Sequence, residues 1–188
     1  TTDAPIGWRQ LGDDIDGEAN GDKSGSSVSI SGDGTIVAIG AQENDANGDR
    51  AGHVRVYQYN ATKTTADTNQ NSATYGPAGW NRLGGDIDGE ADIDYSGWSV
   101  SLSSDGTTVA IAAYQNDGNG DISGHVRVYQ RAASKTEADT DQTSATFGPA
   151  GWNRLGDDID GEAAGNYSGY SVSLSSDGTI VAIGAHQN

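Results

Sequence analysis

The sequence predicts an all-β chain of β-propeller-like blades, each of four antiparallel strands, forming an incomplete ring of about two and a half 72-residue repeats. Three observations carry that expectation. The stretch from Trp80 to Ala113 returns from Trp152 to Ala185 with 27 of 34 positions identical, a looser copy runs from Trp8 to Ala41, and the three tryptophans lie 72 residues apart. Segments that alternate small polar and branched apolar residues are joined by Asp-Gly turns, the pattern of tight hairpins. Helical periodicity is absent throughout. A period of this size marks a repeat architecture, in which each unit buries its apolar face against the next.

Each repeat offers four strand-like segments. The first is S-V-S-I-S (27–31), with small polar and apolar residues at a period of two. A turn at Gly32-Asp33-Gly34 follows, or Ser104-Asp105-Gly106 and Ser176-Asp177-Gly178 in the later copies. The second segment is T-I-V-A-I-G-A (35–41), in which Val37 and Ile39 face one way and Ala38 and Gly40 the other. One bulky and one small face suit a sheet that is covered on both sides. A polar loop leads to the third segment, H-V-R-V-Y-Q (53–58), and G-W-N-R-L-G (79–84) closes the unit. Between the third and fourth segments lies a Thr/Asn/Asp-rich insertion (59–78 and 131–150), read as an ordered lobe or a solvated linker.

The domain organisation follows from this phasing. Residues 1–26 supply an outer strand and an acidic loop; 27–84 form blade one, 85–156 an acidic loop and blade two, and 157–188 an acidic loop and half of blade three. The lead-in T-T-D-A-P-I-G matches A-T-Y-G-P-A-G before Trp80, so the chain opens in phase with its repeat.

Composition narrows the function classes. The formal charge is −17, from 27 acidic and 10 basic residues, which argues against nucleic acid, whose binding depends on phosphate neutralisation. It suits a salty or calcium-containing medium that screens self-repulsion. There is no cysteine, so disulfides, zinc-thiolate sites and thiol nucleophiles are excluded. No apolar run reaches membrane-spanning length and no signal peptide is visible, so a soluble chain without membrane insertion is expected. The absence of any Met fits a processed product or a piece of a longer chain. Asn60-Ala61-Thr62 and Asn166-Tyr167-Ser168 are sequons, glycan acceptors in a glycosylating pathway, and both asparagines are expected to be exposed.

Ser24-Gly25 through Ser31, then V-A-I-G-A, then G-H-V-R-V-Y resemble the FG-GAP repeat of integrin-α-type propellers, with V-A-I-G-A in place of the G-A-P segment. The wording L-G-x-D-I-D-G-E-A and S-G-x-S-V-S-L-S-x-D-G-T is similar to tandem-repeat secreted or cell-surface proteins of aquatic microbes. The resemblance implies a propeller fold and an extracellular adhesive or structural setting, without enzyme activity. Family blades carry a calcium loop, D-x-D-x-D-G-x-x-D, between strands one and two. Here that turn is only Ser-Asp-Gly or Gly-Asp-Gly, so Asp33, Asp105 and Asp177 read as turn formers.

The carboxylates cluster in two other loops. In D-I-D-G-E-A-N-G-D, Asp14, Asp16, Glu18 and Asp22 stand at loop positions 1, 3, 5 and 9. The copies are Asp86, Asp88, Glu90 and Asp94, then Asp158, Asp160 and Glu162 with Asn166 in the last place. Alternating oxygen ligands resemble an EF-hand-type calcium loop, although Gly17 stands at position 4 and no bidentate Glu follows at position 12. The reading is therefore divided between calcium and a solvated acidic turn. A second loop, N-D-A-N-G-D, offers Asp45, Asn47 and Asp49, and its copy Asp117, Asn119 and Asp121; an Asn-Gly turn is the plainer reading there. Antiparallel topology puts both acidic loops on one face, where crowded carboxylates invite counter-cations, and the Asp-Gly turns and insertions on the other.

Other candidates carry less. His53 and His125 head the third strands and read as structural histidines; Trp8, Trp80 and Trp152 read as packing at the outer edge of the blades. Ser26, Trp98 and Tyr170 share one variable position, open to a partner or to a local packing difference. No Ser-His-Asp set or phosphate-cradling glycine loop stands out, so no enzyme is expected. The expectation is a non-enzymatic extracellular structural or adhesive repeat protein, assembling by self-association or with neighbouring repeats of a longer chain, filament or surface layer. The alternative is a calcium-dependent recognition module for glycan or protein, using the acidic face with Tyr95, Trp98, Tyr167 and Tyr170.

Overall fold

The structure, a computed structural model, describes residues 7–188; the lead-in of residues 1–6 lies outside the described residues. It is all-β and antiparallel, as the alternation predicts. Blade one contains β1 (Ser24–Ile30), β2 (Ile36–Ala41), β3 (His53–Tyr59), β4 (Trp80–Arg82) and β5 (Ile87–Asp88). Blade two repeats it with β6 (Ser99–Leu102), β7 (Thr108–Ala113), β8 (His125–Arg131), β9 (Trp152–Arg154) and β10 (Ile159–Asp160). A hairpin of β11 (Ser168–Leu174) and β12 (Val181–Ala185) follows. No strand forms around Trp8, so the expected opening outer strand is absent among the described residues.

Within each blade the order runs β1-β2-β3-β4 or β6-β7-β8-β9, with a short fifth strand on the same edge of the third. β4 pairs with the C-terminal half of β3, Tyr57 opposite Arg82 and Tyr59 opposite Trp80. β5 then pairs with its N-terminal end, His53 opposite Asp88 and Val54 opposite Ile87. The outer strand is therefore interrupted beside Arg55 and resumes inside the D-I-D motif, which the sequence reads as pure loop.

The two-faced second strand explains the stacking. Ala38 on the small face of β2 packs in one cluster with Val100, Leu102, Val109 and Ile111, the bulky face of blade two. Ala110 and Ala112 on the small face of β7 in turn take Val172, Leu174, Val181 and Ile183 of the hairpin. Each blade thus sets its large side chains into its predecessor's small ones, the interdigitation that dense packing requires. Gly40 belongs to this fit, since a Cβ there would overlap the Gly97 carbonyl of the next blade.

The serines of S-V-S-L-S join neighbouring inner strands. Ser29 Oγ accepts from Leu102 N (2.9 Å), and Ser99 and Ser101 Oγ accept from Val172 N (3.1 Å) and Leu174 N (2.9 Å). Edge-strand N–H groups that would otherwise lack partners are satisfied across the blade junction.

The insertions are ordered lobes. An antiparallel bridge joins Asp67 to Gly76, and another joins Asp139 to Gly148. Lys63 Nζ donates to the carbonyls of Gly76 (2.8 Å) and Trp80 (2.6 Å), tying lobe to blade. The lobes also fold back along the outer edge rather than staying at the opposite end: Gln70 Nε2 reaches Glu18 Oε1 at 3.3 Å and Arg82 donates to the Gln70 carbonyl at 2.9 Å.

Candidate functional site

The acidic loops do gather on one face. Asn44 Nδ2 donates to Asp22 Oδ2 (2.8 Å), Asn116 Nδ2 to Asp94 Oδ2 (3.1 Å), and Asn47 Nδ2 to the Gly89 carbonyl of the following acidic loop (2.7 Å). Their carboxylates are distributed between two arginines in a way the sequence does not announce. Arg55, at the centre of β3, places Nε on Asp86 Oδ1 (2.8 Å) and Nη2 on Asp86 Oδ2 (2.7 Å). The same Nη2 contacts Glu18 of the preceding loop. Arg82 adds a second cation on Asp86 Oδ1 at 2.6 Å. Blade two repeats the device: Arg127 holds Asp158 (2.8 and 2.7 Å) and contacts Glu90, while Arg154 meets Asp158 at 2.7 Å. Arg55 and Arg127 each tie together the loop before their blade and the loop after it.

His53 lies beside this clamp. It is 3% exposed, and its Nδ1 has no hydrogen-bond partner. Glu18 Oε2 stands 4.0 Å and Asp88 Oδ1 3.9 Å from that nitrogen. In blade two, His125 Nδ1 lies 3.9 Å from Asp158 Oδ2 and 4.0 Å from Asp160 Oδ1. Glu18, His53 and Asp86, and again Glu90, His125 and Asp158, bring ligand atoms within 4.8 Å of one another. Burial and then the Arg55 charge lower the His53 pKa, keeping the imidazole neutral. Burial, with Asp86 and Glu18 nearby, pushes Asp88 up to about 6. For Asp86, burial acts upward but the Arg55 hydrogen bonds and charge outweigh it, holding the carboxyl below the usual range.

The remaining expected ligands lie apart from these clusters. Asp14 accepts from Gln10 Nε2 (2.8 Å) on the surface, and Asp16 is exposed. Asp22 and Asp94 are buried caps that accept from Ala19 N and Ala91 N. Asn166 takes the same place, accepting from Ala163 N (2.6 Å) and donating to Asn188 Oδ1 (3.3 Å). It is 8% exposed, which corrects the expectation of an exposed sequon. Asn60 is half-buried and closes a turn with Thr62. Asp45 and Asp117 accept from Arg50 N and Ile122 N, both at 2.7 Å, closing their own loops. Asp49 pairs with Arg50 at the surface, Asn119 Nδ2 donates to the Gly161 carbonyl (2.8 Å), and Asp121 and Glu162 are exposed. The carboxylates of one loop therefore do not converge on one point.

Comparison with known families finds a match in the first repeat. Residues 15–57 match the family model of the FG-GAP repeat. Over that stretch the chain is similar to an FG-GAP repeat. The match spans the first acidic loop through β3 and includes both Glu18 and Arg55; the 72-residue period brings the same elements back at 87–129. Among curated proteins, none matches the chain.

An FG-GAP repeat raises the question of calcium in the hairpin turn, and the residues there do not fit it. Asp33 is the turn's one carboxylate, and its Oδ1 accepts from Ser31 Oγ (2.7 Å), Thr35 N (2.9 Å) and Thr35 Oγ1 (2.9 Å). Asp105 and Asp177 are bound in the same way. These aspartates close turns, as their spacing suggests.

One feature of the face was missed in the sequence, and a second was read without Tyr114 and His186. Arg55 and Arg127 interrupt otherwise apolar strands, and a charge in a strand covered on both sides was the available signal that carboxylates must meet it. The aromatic positions also join: Trp98 stacks near Tyr114 (4.3 Å between centroids) and Tyr170 near His186 (4.6 Å).

Proposed function

We propose that this chain is a non-enzymatic structural module of an extracellular or cell-surface assembly, whose exposed blade faces take further copies of the same repeat. The observation that carries the reading is a contrast between equivalent positions. Val28 and Ile30 of β1 are 63% and 61% exposed, whereas Val100 and Leu102 of β6 are 8% and 7%. Trp8 is 79% exposed and Trp152 is fully buried. The hairpin presents the complementary surface, with Ser171, Ser173 and Ala182 exposed where their counterparts in blade two hold the next strand. A bulky face and a small, serine-lined face that already fit one another inside the chain form a heterologous, head-to-tail contact. Exposed apolar faces of this kind are association sites. The extracellular setting is supported by the FG-GAP match, and no helix among the described residues is long and apolar enough to cross a membrane.

Sedimentation over a range of concentrations tests this. Association that is lost in Ile30→Lys is expected; a monomer at every concentration overturns the reading.

A second reading, calcium-dependent recognition of a glycan or protein, is favoured by one feature. Asp14, Asp16, Tyr57, Tyr75 and Pro77 line a cleft of about 270 Å³, and the equivalent residues around Asp86, Asp88, Tyr129, Phe147 and Pro149 line one of about 300 Å³. Aromatic and carboxylate groups facing one cleft suit a sugar. A glycan array with and without calcium separates the two readings.

A further inference from the structure

We propose that each blade of this chain holds one zinc-class divalent cation between the imidazole Nδ1 of its third strand and carboxylate oxygens of the acidic loops: His53 with Glu18 and Asp88, and His125 with Glu90 and Asp160. The argument begins with His53. A buried polar atom without a partner loses its hydration and gains nothing in exchange. His53 Nδ1 is such an atom, and it faces two carboxylate oxygens at 4.0 and 3.9 Å. Those separations are too long for hydrogen bonds. They lie about half an ångström beyond the roughly 3.4 Å edge of a tetrahedron whose zinc–ligand bonds are about 2.1 Å. An ion drawn into the gap would require Glu18 and Asp88, both partly exposed side chains, to move toward His53 Nδ1 and toward one another.

Charge counting points the same way. Glu18, Asp86 and Asp88 face Arg55 and Arg82, so three carboxylates meet two guanidinium groups. Asp86 is saturated by both arginines, which leaves Glu18 Oε2 and Asp88 as acceptors without a cation of their own. Blade two has the same sum, with Glu90, Asp158 and Asp160 against Arg127 and Arg154. The donor set also decides the class of ion. One imidazole nitrogen with two carboxylates suits zinc and its neighbours, whereas calcium takes six to eight oxygens and no nitrogen. This cation is therefore different from the calcium that the D-x-D-x-E spacing suggests, and its key ligand lies outside those loops.

The test is titration of the full chain with Zn²⁺ by calorimetry, and with Co²⁺ followed by visible absorption and by paramagnetic broadening of histidine resonances. Two ions per chain are expected, with the His53 and His125 signals broadened by Co²⁺ and the His186 signal much less affected. His53→Gln should remove one ion and His53→Gln with His125→Gln both, while Asp88→Asn should weaken the first site at least about tenfold. Circular dichroism checks that each variant is folded; if the histidine variants are not, Asp88→Asn and the broadening pattern of the native chain decide alone. Zinc binding undiminished in Asp88→Asn and in folded histidine variants, broadening of His186 in preference to His53 and His125, or no saturable binding overturns the proposal.

Discussion

Arg55 grips Asp86 through two parallel hydrogen bonds, Nε to Oδ1 at 2.8 Å and Nη2 to Oδ2 at 2.7 Å, from the middle of a strand covered on both faces. This forked pairing is the strongest geometry available to a guanidinium and a carboxylate. Because the same guanidinium contacts Glu18, one side chain fixes the loops on either side of the blade.

Arg55→Met should therefore leave Glu18 without its arginine and Asp86 with Arg82 alone. Removing one partner of a buried pair costs about 3–5 kcal/mol, and the partial exposure of Asp86 and Glu18 places this case near about 3 kcal/mol. Arg55→Lys keeps the charge but loses the fork, so an intermediate loss is expected. Arg50→Ala, which removes a surface pair with Asp49 and a hydrogen bond to the Tyr95 hydroxyl, should cost less than about 1 kcal/mol. Urea unfolding midpoints of the three variants give the order; equal losses for all three would deny Arg55 its clamping role.

The blade junction makes a second prediction from equivalent residues. Leu102 is 7% exposed against blade one, whereas Ile30, one repeat earlier, is 61% exposed. Leu102→Ala should destabilise the monomer by about 3 kcal/mol, and Ile30→Ala by less than about 0.5 kcal/mol. Thermal unfolding at a dilution where the chain sediments as a monomer checks this. Similar losses at both positions would mean that blade one is already covered in solution.

Much of this architecture is legible in the sequence. The alternation in S-V-S-I-S and the near-continuous apolar run of I-V-A-I-G-A locate β1 and β2 to within a few residues, because burial on one or both faces writes itself as period. Period is silent about pairs of residues, however. β5 is only Ile87 and Asp88, too short to show alternation, and it exists because β3 is longer than β4 and leaves an edge to pair. The serines of β1 and β6 read only as the small polar half of an alternation, yet they join the inner strands, since a hydroxyl serves either solvent or a neighbouring strand. The acidic loops were legible as clustered charge in need of cations. That arginines two positions beyond His53 and His125 supply part of the counter-charge is a tertiary fact, visible only once β3 and the loops are brought together.

The insertions should loosen in acid. Hydrogen bonds from Ser72 and Thr74, and the Asn69 N–H, hold the Asp67 carboxyl down to about 2; Ser144, Thr146 and the Asp141 N–H do the same for Asp139, also to about 2. A carboxylate depressed in the folded state contributes stability that is complete above its unfolded value of 3.8 and is lost as pH falls through about 2. The lobes should therefore loosen between about pH 4 and pH 2. Hydrogen exchange of the Gly76 and Gly148 amides, which donate to the Asp67 and Asp139 carbonyls, reports it. Thr74→Val should move the midpoint of the first lobe upward and leave the second unchanged; a common shift of both lobes would assign the transition to global unfolding instead.

Backbone strain gives the last prediction. Ile93 sits at φ 68°, in the left-handed region, where a β-branched residue is a steric outlier. The other two repeats place glycine at this position, Gly21 at φ 109° and Gly165 at φ 77°. The left-handed conformation costs a non-glycine residue about 1–2 kcal/mol. Glycine escapes that penalty but gives back about 0.5–1 kcal/mol through its freer unfolded chain. Ile93 is 43% exposed, so its side chain has limited packing to lose, and its N–H bond to the Asp49 carbonyl survives substitution. Ile93→Gly is expected to raise stability by about 0.5 kcal/mol. Gly165→Ala should lower it by about 1 kcal/mol, because no neighbour lies within 4 Å and strain alone acts there. Parallel urea unfolding of both variants checks the pair. Opposite signs confirm that the conformation is imposed by the acidic loop; a loss in Ile93→Gly would show instead that the isoleucine side chain holds the loop against blade one.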